Sequence, residues 1–149
     1  KPGKRIAVPT EAQWEDACRA DGKTTFSCGD DPAKLGDCAW YCKNTYNKGE
    51  KYAHSVGRKK PNAFGLYDRH GNVSEWCRDW YDDEFYSKQN NVDPENTIKN
   101  KYRNRVRRGG EAVKNPKDCR TAKREWSTSG RGWYGSGFRV VVVSDSGVD

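Results

Sequence analysis

The sequence predicts a single irregular, loop-rich domain of one helix and several short strands, closed by aromatic rings rather than by aliphatic layers. Length is the first observation: 149 residues make one ordinary domain, long enough to bury most of the surface its unfolded chain would expose. The second is polarity. Hydrophobic and charged residues each make up 33%, and the mean hydropathy is −1.18, values that by themselves lean toward disorder. The third decides against disorder. Six Trp, eight Tyr and four Phe bring large areas to bury, so a core short of Leu and Ile can still close around rings.

The helix is expected near the start. In Pro9-Thr10-Glu11-Ala12-Gln13-Trp14, Thr10 is placed to cap the first turn while Gln13, three positions on, reaches back to it. Ala12, Trp14, Ala17 and Cys18 then share one face, and Asp21-Gly22 reads as the stop. From Lys23 to Lys60, Gly29-Asp30-Asp31-Pro32, Gly36-Asp37 and Asn47-Lys48-Gly49 punctuate the chain into loops around an aromatic island at Trp40-Tyr41. Lys60 to Tyr81 mixes turn residues with Phe, Leu, Tyr and Trp and reads as strand and loop core. Asp82 to Asn100 reads as a surface loop with a turn at Asp93-Pro94. Arg105 to Arg108 and Gly137 to Val143 read as strands, the second β-branched, unbroken and hence expected to be buried.

Charge and cysteine usage narrow the function classes. Twenty-eight Lys and Arg against twenty-one Asp and Glu give a formal charge of +7, which steers anionic partners without naming one. The basic run Lys99 to Arg108 has no nucleic-acid fold signature around it, so nucleic acid is not an expected partner. Cys18, Cys28, Cys38, Cys42, Cys77 and Cys119 include no C-x2-C pair, and Cys38 and Cys42 are the only close two; their disulfide pattern is open. The longest apolar stretch, Val140 to Val143, is too short to span a bilayer. The absence of Met predicts a processed or truncated product.

These motifs resemble the formylglycine-generating-enzyme, or sulfatase-modifying-factor, family. Val8-Pro9-Thr10-Glu11-Ala12-Gln13-Trp14-Glu15 is similar to its helix start "RLPTEAEWE", with Val8 where Leu is usual. Pro61 to Asp68 followed by His70 to Cys77 is similar to "PNAFGLYDMHGNVWEWC". Arg108-Gly109-Gly110, Cys119-Arg120-Thr121-Ala122-Lys123-Arg124 and Gly137-Phe138-Arg139-Val140-Val141 are similar to "RGGSW", "CRSAYR" and "GFRVV", in the same order. The resemblance implies an α+β domain with the C-type-lectin-like fold, residues 1–149 forming its C-terminal portion without the usual upstream part.

Active members carry two cysteines after "RGGS" whose thiolates bind copper. Here Lys114 stands where the first is expected and only Cys119 remains, aligned better with the non-catalytic Cys of "CRSAYR"; no copper is expected. The non-haem-iron relatives use histidines, but His54 and His70 form no ligand-spaced pair. The resemblance also implies a Ca2+ site at Asp68, Gly71, Val73 and Glu75, two carboxylates and two carbonyls on a glycine turn that suit a hard cation. The same residues equally fit an ion-free turn, with Asp68 capping it and Glu75 paired to an arginine. The Asn72-Val73-Ser74 sequon falls inside this loop and is taken as incidental.

Residues 105–143 keep the family frame while what lies between departs from it. Glu125 to Ser136 is a Trp, Tyr, Ser, Gly and Arg mixture of the kind that suits recognition surfaces, although Trp126, Trp133 and Tyr134 equally suit an aromatic core. Proteins diversified by retroelements are similar in fold and in their "GFR" frame. That analogy predicts one exposed ligand-binding face containing Glu111, Ala112, Val113, Lys114, Lys117, Asp118, Lys123, Trp126, Trp133 and Tyr134. The leading expectation is therefore a non-catalytic module outside the cytoplasm or at the cell surface, binding a protein or glycan. The alternatives are an oxidase of the formylglycine-generating class and a structural domain of a larger assembly.

Overall fold

A computed structural model describes residues 3–88, 92–130 and 134–144. Its elements are β1 (Lys4–Ala7), α1 (Glu11–Arg19), β2 (Ala39–Trp40), β3 (His70–Gly71), β4 (Ser74–Trp80), β5 (Asn104–Arg108), β6 (Arg124–Thr128), β7 (Ser136–Gly137) and β8 (Val141–Ser144), with four short 3-10 turns. The expected mix of one helix, short strands and long loops is what forms.

Helix α1 begins with the anticipated capping box. Thr10 Oγ1 accepts from the Gln13 amide at 3.1 Å, and the Thr10 amide donates to Gln13 Oε1 at 3.0 Å. Its end differs from the expected Asp21-Gly22 stop. Ala20 turns left-handed (φ 48°) and donates to the Asp16 carbonyl, so the helix closes one residue earlier. Gly22 serves the exit instead, because a Cβ there would lie 2.9 Å from the Arg19 carbonyl oxygen.

Four strands form the main sheet in the order β6-β5-β4-β7, antiparallel except for the β4–β7 pair. Side chains alternate across it. Glu75, Cys77, Asp79, Val106, Arg108, Arg124, Trp126 and Thr128 face α1; Trp76, Arg78, Trp80, Arg105, Arg107, Glu125 and Ser127 face away. The contacts bear this out. Trp14 and Cys18 of α1 pack on Cys77 and Val106 with Tyr81 alongside, and Arg108 and Arg124 both reach Glu11. On the far side Arg105 stacks 3.6 Å over Trp80.

A second core gathers Phe26, Leu35, Cys38, Ala39, Tyr41, Cys42 and Cys119 under the long loops. Cys28 and Cys38 form a disulfide, while Cys18, Cys42, Cys77 and Cys119 are buried thiols. The central loop is pinned by Asn62, which caps Phe64 and Leu66 amides and donates to the Ala17 and Cys18 carbonyls. Gly71 lies so close to Trp40 that a Cβ would sit 1.9 Å from its carbonyl oxygen. That contact lets β2 and β3 pair.

The C-terminal apolar run is not the single buried strand the sequence predicts. Ser136–Gly137 pairs in parallel with β4, and Val141–Ser144 pairs with β1, whose basic start reads as no strand in the sequence. This two-stranded ribbon has an open face, so Val142 is 67% exposed and Ile6 71%. A β-branched run marks a strand; only its neighbours decide what covers it.

Candidate functional site

The stretch after β5 turns on two glycines. Gly109 and Gly110 both have positive φ (96° and 77°), and a Cβ on Gly110 would meet the Asp118 carbonyl and Cys119 Sγ at 2.8 Å. The turn sends Glu111 inward, beneath the face that points away from α1. Its Oε1 receives Ser74 Oγ at 3.2 Å and Arg107 Nη1 at 3.4 Å. Arg107 also donates to Ser136 Oγ at 2.8 Å and lies 3.8 Å from Glu125, which lies 4.0 Å from Lys114. Charges of alternating sign thus run from the interior outward to Lys114.

Ten residues were expected on one exposed face, and the fold divides them. Val113 and Lys117 are exposed; Lys114, Asp118 and Lys123 are half-buried; Tyr134 is fully exposed. Glu111 is only 4% exposed, and Ala112, equally buried, donates to the Asn72 carbonyl while its own carbonyl accepts from Thr45. These two are supports, because the glycine turn needs the next residues packed under the surface. Trp126 is 51% exposed but on the α1 side of the sheet, opposite Glu125, since adjacent strand residues point to opposite faces. Trp133 lies outside the described residues. Arg107, Glu125 and Ser74 belong to the charge relay without having been singled out; the Arg-Glu-Trp alternation of β6 was the readable signal.

Asp68, Gly71, Val73 and Glu75 lie on and around β3 and the start of β4. Asp68 is left-handed (φ 55°); its Oδ2 accepts from the Gly57 amide at 2.7 Å, and its Oδ1 is buried without a hydrogen-bond partner. Glu75 is engaged on both oxygens. Arg139 donates Nε to Oε2 at 2.5 Å and Nη2 to Oε1 at 2.6 Å, Trp14 Nε1 adds a 2.6 Å bond, and Arg69 stands 3.9 Å away. Asp68 Oδ1 suits a cation. Glu75, neutralised by one guanidinium and flanked by a second, does not suit one in this arrangement. Among the described residues no three His, Cys, Asp or Glu side chains converge as a metal site. Asn72 is buried, bonding the His54 amide and carbonyl through its side chain, which leaves no room for a glycan.

Cys119 is wholly buried, and burial pushes its thiol up to about 12. His70 beside it bridges two loops: Nδ1 meets the Cys119 carbonyl at 2.8 Å, so it carries the proton, and Nε2 accepts from the Ser27 amide at 2.9 Å. Burial lowers its pKa to about 4, with Arg69 acting in the same direction. This is a neutral structural histidine.

The sulfatase-modifying factor enzyme 1-like domain matches residues 3–144. The chain belongs to this family. It is 33% identical over 156 residues to the formylglycine-generating enzyme of Streptomyces coelicolor, an alignment covering 96% of the chain and 48% of that enzyme. Among solved structures it is similar to Treponema denticola variable protein 1, with a TM-score of 0.83 and 32% identity over 93% of the chain and 48% of that protein. It is also similar to PvdO from Pseudomonas aeruginosa, with a TM-score of 0.79 and 28% identity over 95% of the chain and 54% of PvdO. The fold is therefore the C-type-lectin-like, α+β fold of the formylglycine-generating-enzyme type. The chain spans about half the length of these relatives.

Proposed function

We propose that the chain is a non-catalytic ligand-binding module whose C-terminal third, residues 105–143, presents a variable recognition surface, diversified by a retroelement. One observation carries this reading: Lys114 stands where the family's first copper-binding cysteine is expected, and the one cysteine that remains after it, Cys119, aligned better with a non-catalytic position, is a thiol sealed from solvent and raised to about 12. Such a thiol stays protonated near neutral pH, and a soft Cu(I) ion needs thiolates. The likeness to a protein whose name describes it as variable supports the positive half of the proposal.

The contact residues in this reading are Val113, Lys114, Lys117, Asp118, Lys123 and Tyr134, standing over the Arg107–Glu111 support. Their ligand is a protein or glycan met outside the cytoplasm. The Cys28–Cys38 disulfide supports that compartment. No helix among the described residues is long and apolar enough to cross a membrane. Calcium enters as a proposed brace held through Asp68 and the carbonyls of Gly71 and Val73, with Glu75 joining only if Arg139 releases it.

Sequencing sibling copies of the gene and any template copy tests the reading. Substitutions concentrated at the six contact positions are expected, and an even spread through Val8 to Trp80 would overturn it. The 33% identity to a formylglycine-generating enzyme favours one rival, an oxidase of that class. Titration with Cu(I) under reducing conditions decides between them: weak binding and no oxygen-dependent conversion of a cysteine peptide are expected.

A further inference from the structure

On the α1 side of the main sheet, across the β6 backbone from Glu125 and Lys114, a cleft of about 820 Å³ opens between the ends of β4, β5 and β6 and the loops that follow β4. Tyr81 and Trp126 form its aromatic floor, their ring centroids 6.3 Å apart and their planes tilted by 48°. Phe85 closes one wall, the exposed Tyr102 another, and Asp82 and Asp83 stand at the rim. We propose that this cleft binds a cationic side chain, an arginine or lysine presented by a protein partner.

The chemistry of the lining selects that ligand over a neutral sugar. The amides facing the cleft are already committed to the fold. Asn96 bonds the Trp80 carbonyl and Ile98 amide, Asn100 bonds the Tyr81 carbonyl and the Tyr102 and Asn104 amides, and Asn104 Oδ1 accepts from Thr128. They hold the cleft's shape and leave few hydrogen bonds for hydroxyl groups. The carboxylates are freer. Asp82 uses one oxygen to cap Glu84 at 2.9 Å, and the exposed Asp83 side chain has no partner among the described residues.

Of the nearby cations, Lys101 already lies 4.7 Å over the Tyr102 ring, and two others are held by carboxylates. Lys88 pairs with Glu84 at 2.5 Å, and Arg124, 5.0 Å from the Tyr81 ring, is held by both oxygens of Glu11. Burial raises the Tyr81 pKa and Asp83 raises it further, against the opposing Arg124 guanidinium, so the rim carboxylate's field reaches the aromatic floor. A negative rim over Tyr and Trp faces is the arrangement that attracts a guanidinium or ammonium group, even on a chain of net charge +7.

The site does not depend on recognition by the C-terminal loops, and one experiment separates the two. The whole chain is titrated with acetyl-Gly-Arg-Gly-amide, acetyl-Gly-Gln-Gly-amide and methyl β-glucoside, with tryptophan fluorescence and heat as readouts. Saturable binding of the arginine peptide alone is expected, with a dissociation constant of ~1 mM. It should weaken at least ~10-fold in Trp126→Ala and in the Asp82→Asn/Asp83→Asn pair, and stay unchanged in Lys114→Ala. Both altered sites are exposed or at the rim, and their melting curves report whether the fold survives. Equal binding of the glutamine peptide, preference for the glucoside, no saturable binding, or full retention in the aspartate pair would each overturn the proposal.

Discussion

Arg139 grips both carboxylate oxygens of Glu75, Nε to Oε2 at 2.5 Å and Nη2 to Oε1 at 2.6 Å, tying the segment between β7 and β8 to the start of β4. A forked guanidinium on a nearly buried carboxylate is a strong, orienting contact. It also occupies a group that the family resemblance implies for calcium. An arginine and a calcium ion would compete for it.

Replacing Arg139 with Gln should lower stability by about 2–3 kcal/mol, because Glu75 is left buried beside Arg69 and Trp14 with its forked partner gone. Differential scanning calorimetry after exhaustive chelation gives the companion result. Calcium should raise the melting temperature of Arg139→Gln more than that of the natural chain. An equal or larger response in the natural chain would show that Arg139 is no competitor.

Glu11 lies under a second guanidinium network. Arg124 reaches both its oxygens at 2.8 Å, and Arg108 adds a 2.7 Å bond while also contacting Glu15 and the Thr121 carbonyl. Glu11→Gln leaves two buried or half-buried cations undercompensated, so urea unfolding should show a loss of about 3–5 kcal/mol. The double variant with Arg124→Gln should fall short of the sum of the single losses, and strict additivity would count against direct coupling.

His70 makes stability depend on pH. Its folded pKa of about 4 lies below the ordinary 6.5, so between those values the unfolded chain binds more protons. The histidine's contribution is complete above about pH 7 and is lost as pH falls toward 4. Between pH 7.5 and 5 the expected loss is about 2 kcal/mol. His70→Asn, already destabilised, should show a flatter profile; an unchanged slope would assign the pH dependence elsewhere.

Two left-handed glycines should respond differently to alanine. At Gly71 (φ +68°) the new Cβ would lie 1.9 Å from the Trp40 carbonyl oxygen, whereas at Gly57 (φ +74°) nothing lies within 4 Å. Gly57→Ala should cost about 1–2 kcal/mol of backbone strain. Gly71→Ala should cost more than ~4 kcal/mol or prevent soluble expression, since the backbone itself must move. Thermal melts rank the pair, and similar values would mean that the β2–β3 contact yields easily.

Much of the fold was legible because its signals are local. The capping box acts within a few residues, so Thr10 and Gln13 behave as their sequence context predicts, and the turns at Asn62 and at Gly109-Gly110 are likewise local although they were not singled out in the sequence. The family motifs likewise set the order of the elements. The destination of each side chain was not local. Glu111 and Trp126 were both expected on one exposed face, yet a glycine turn buries the first and strand alternation carries the second to the opposite side of the sheet. Whether Glu75 holds a cation or a guanidinium depends on Arg139 arriving from 64 residues away. The sequence by itself determined the scaffold and the missing thiolate pair; tertiary structure decided which residues share a surface, because burial and ion pairing depend on neighbours that only folding brings together.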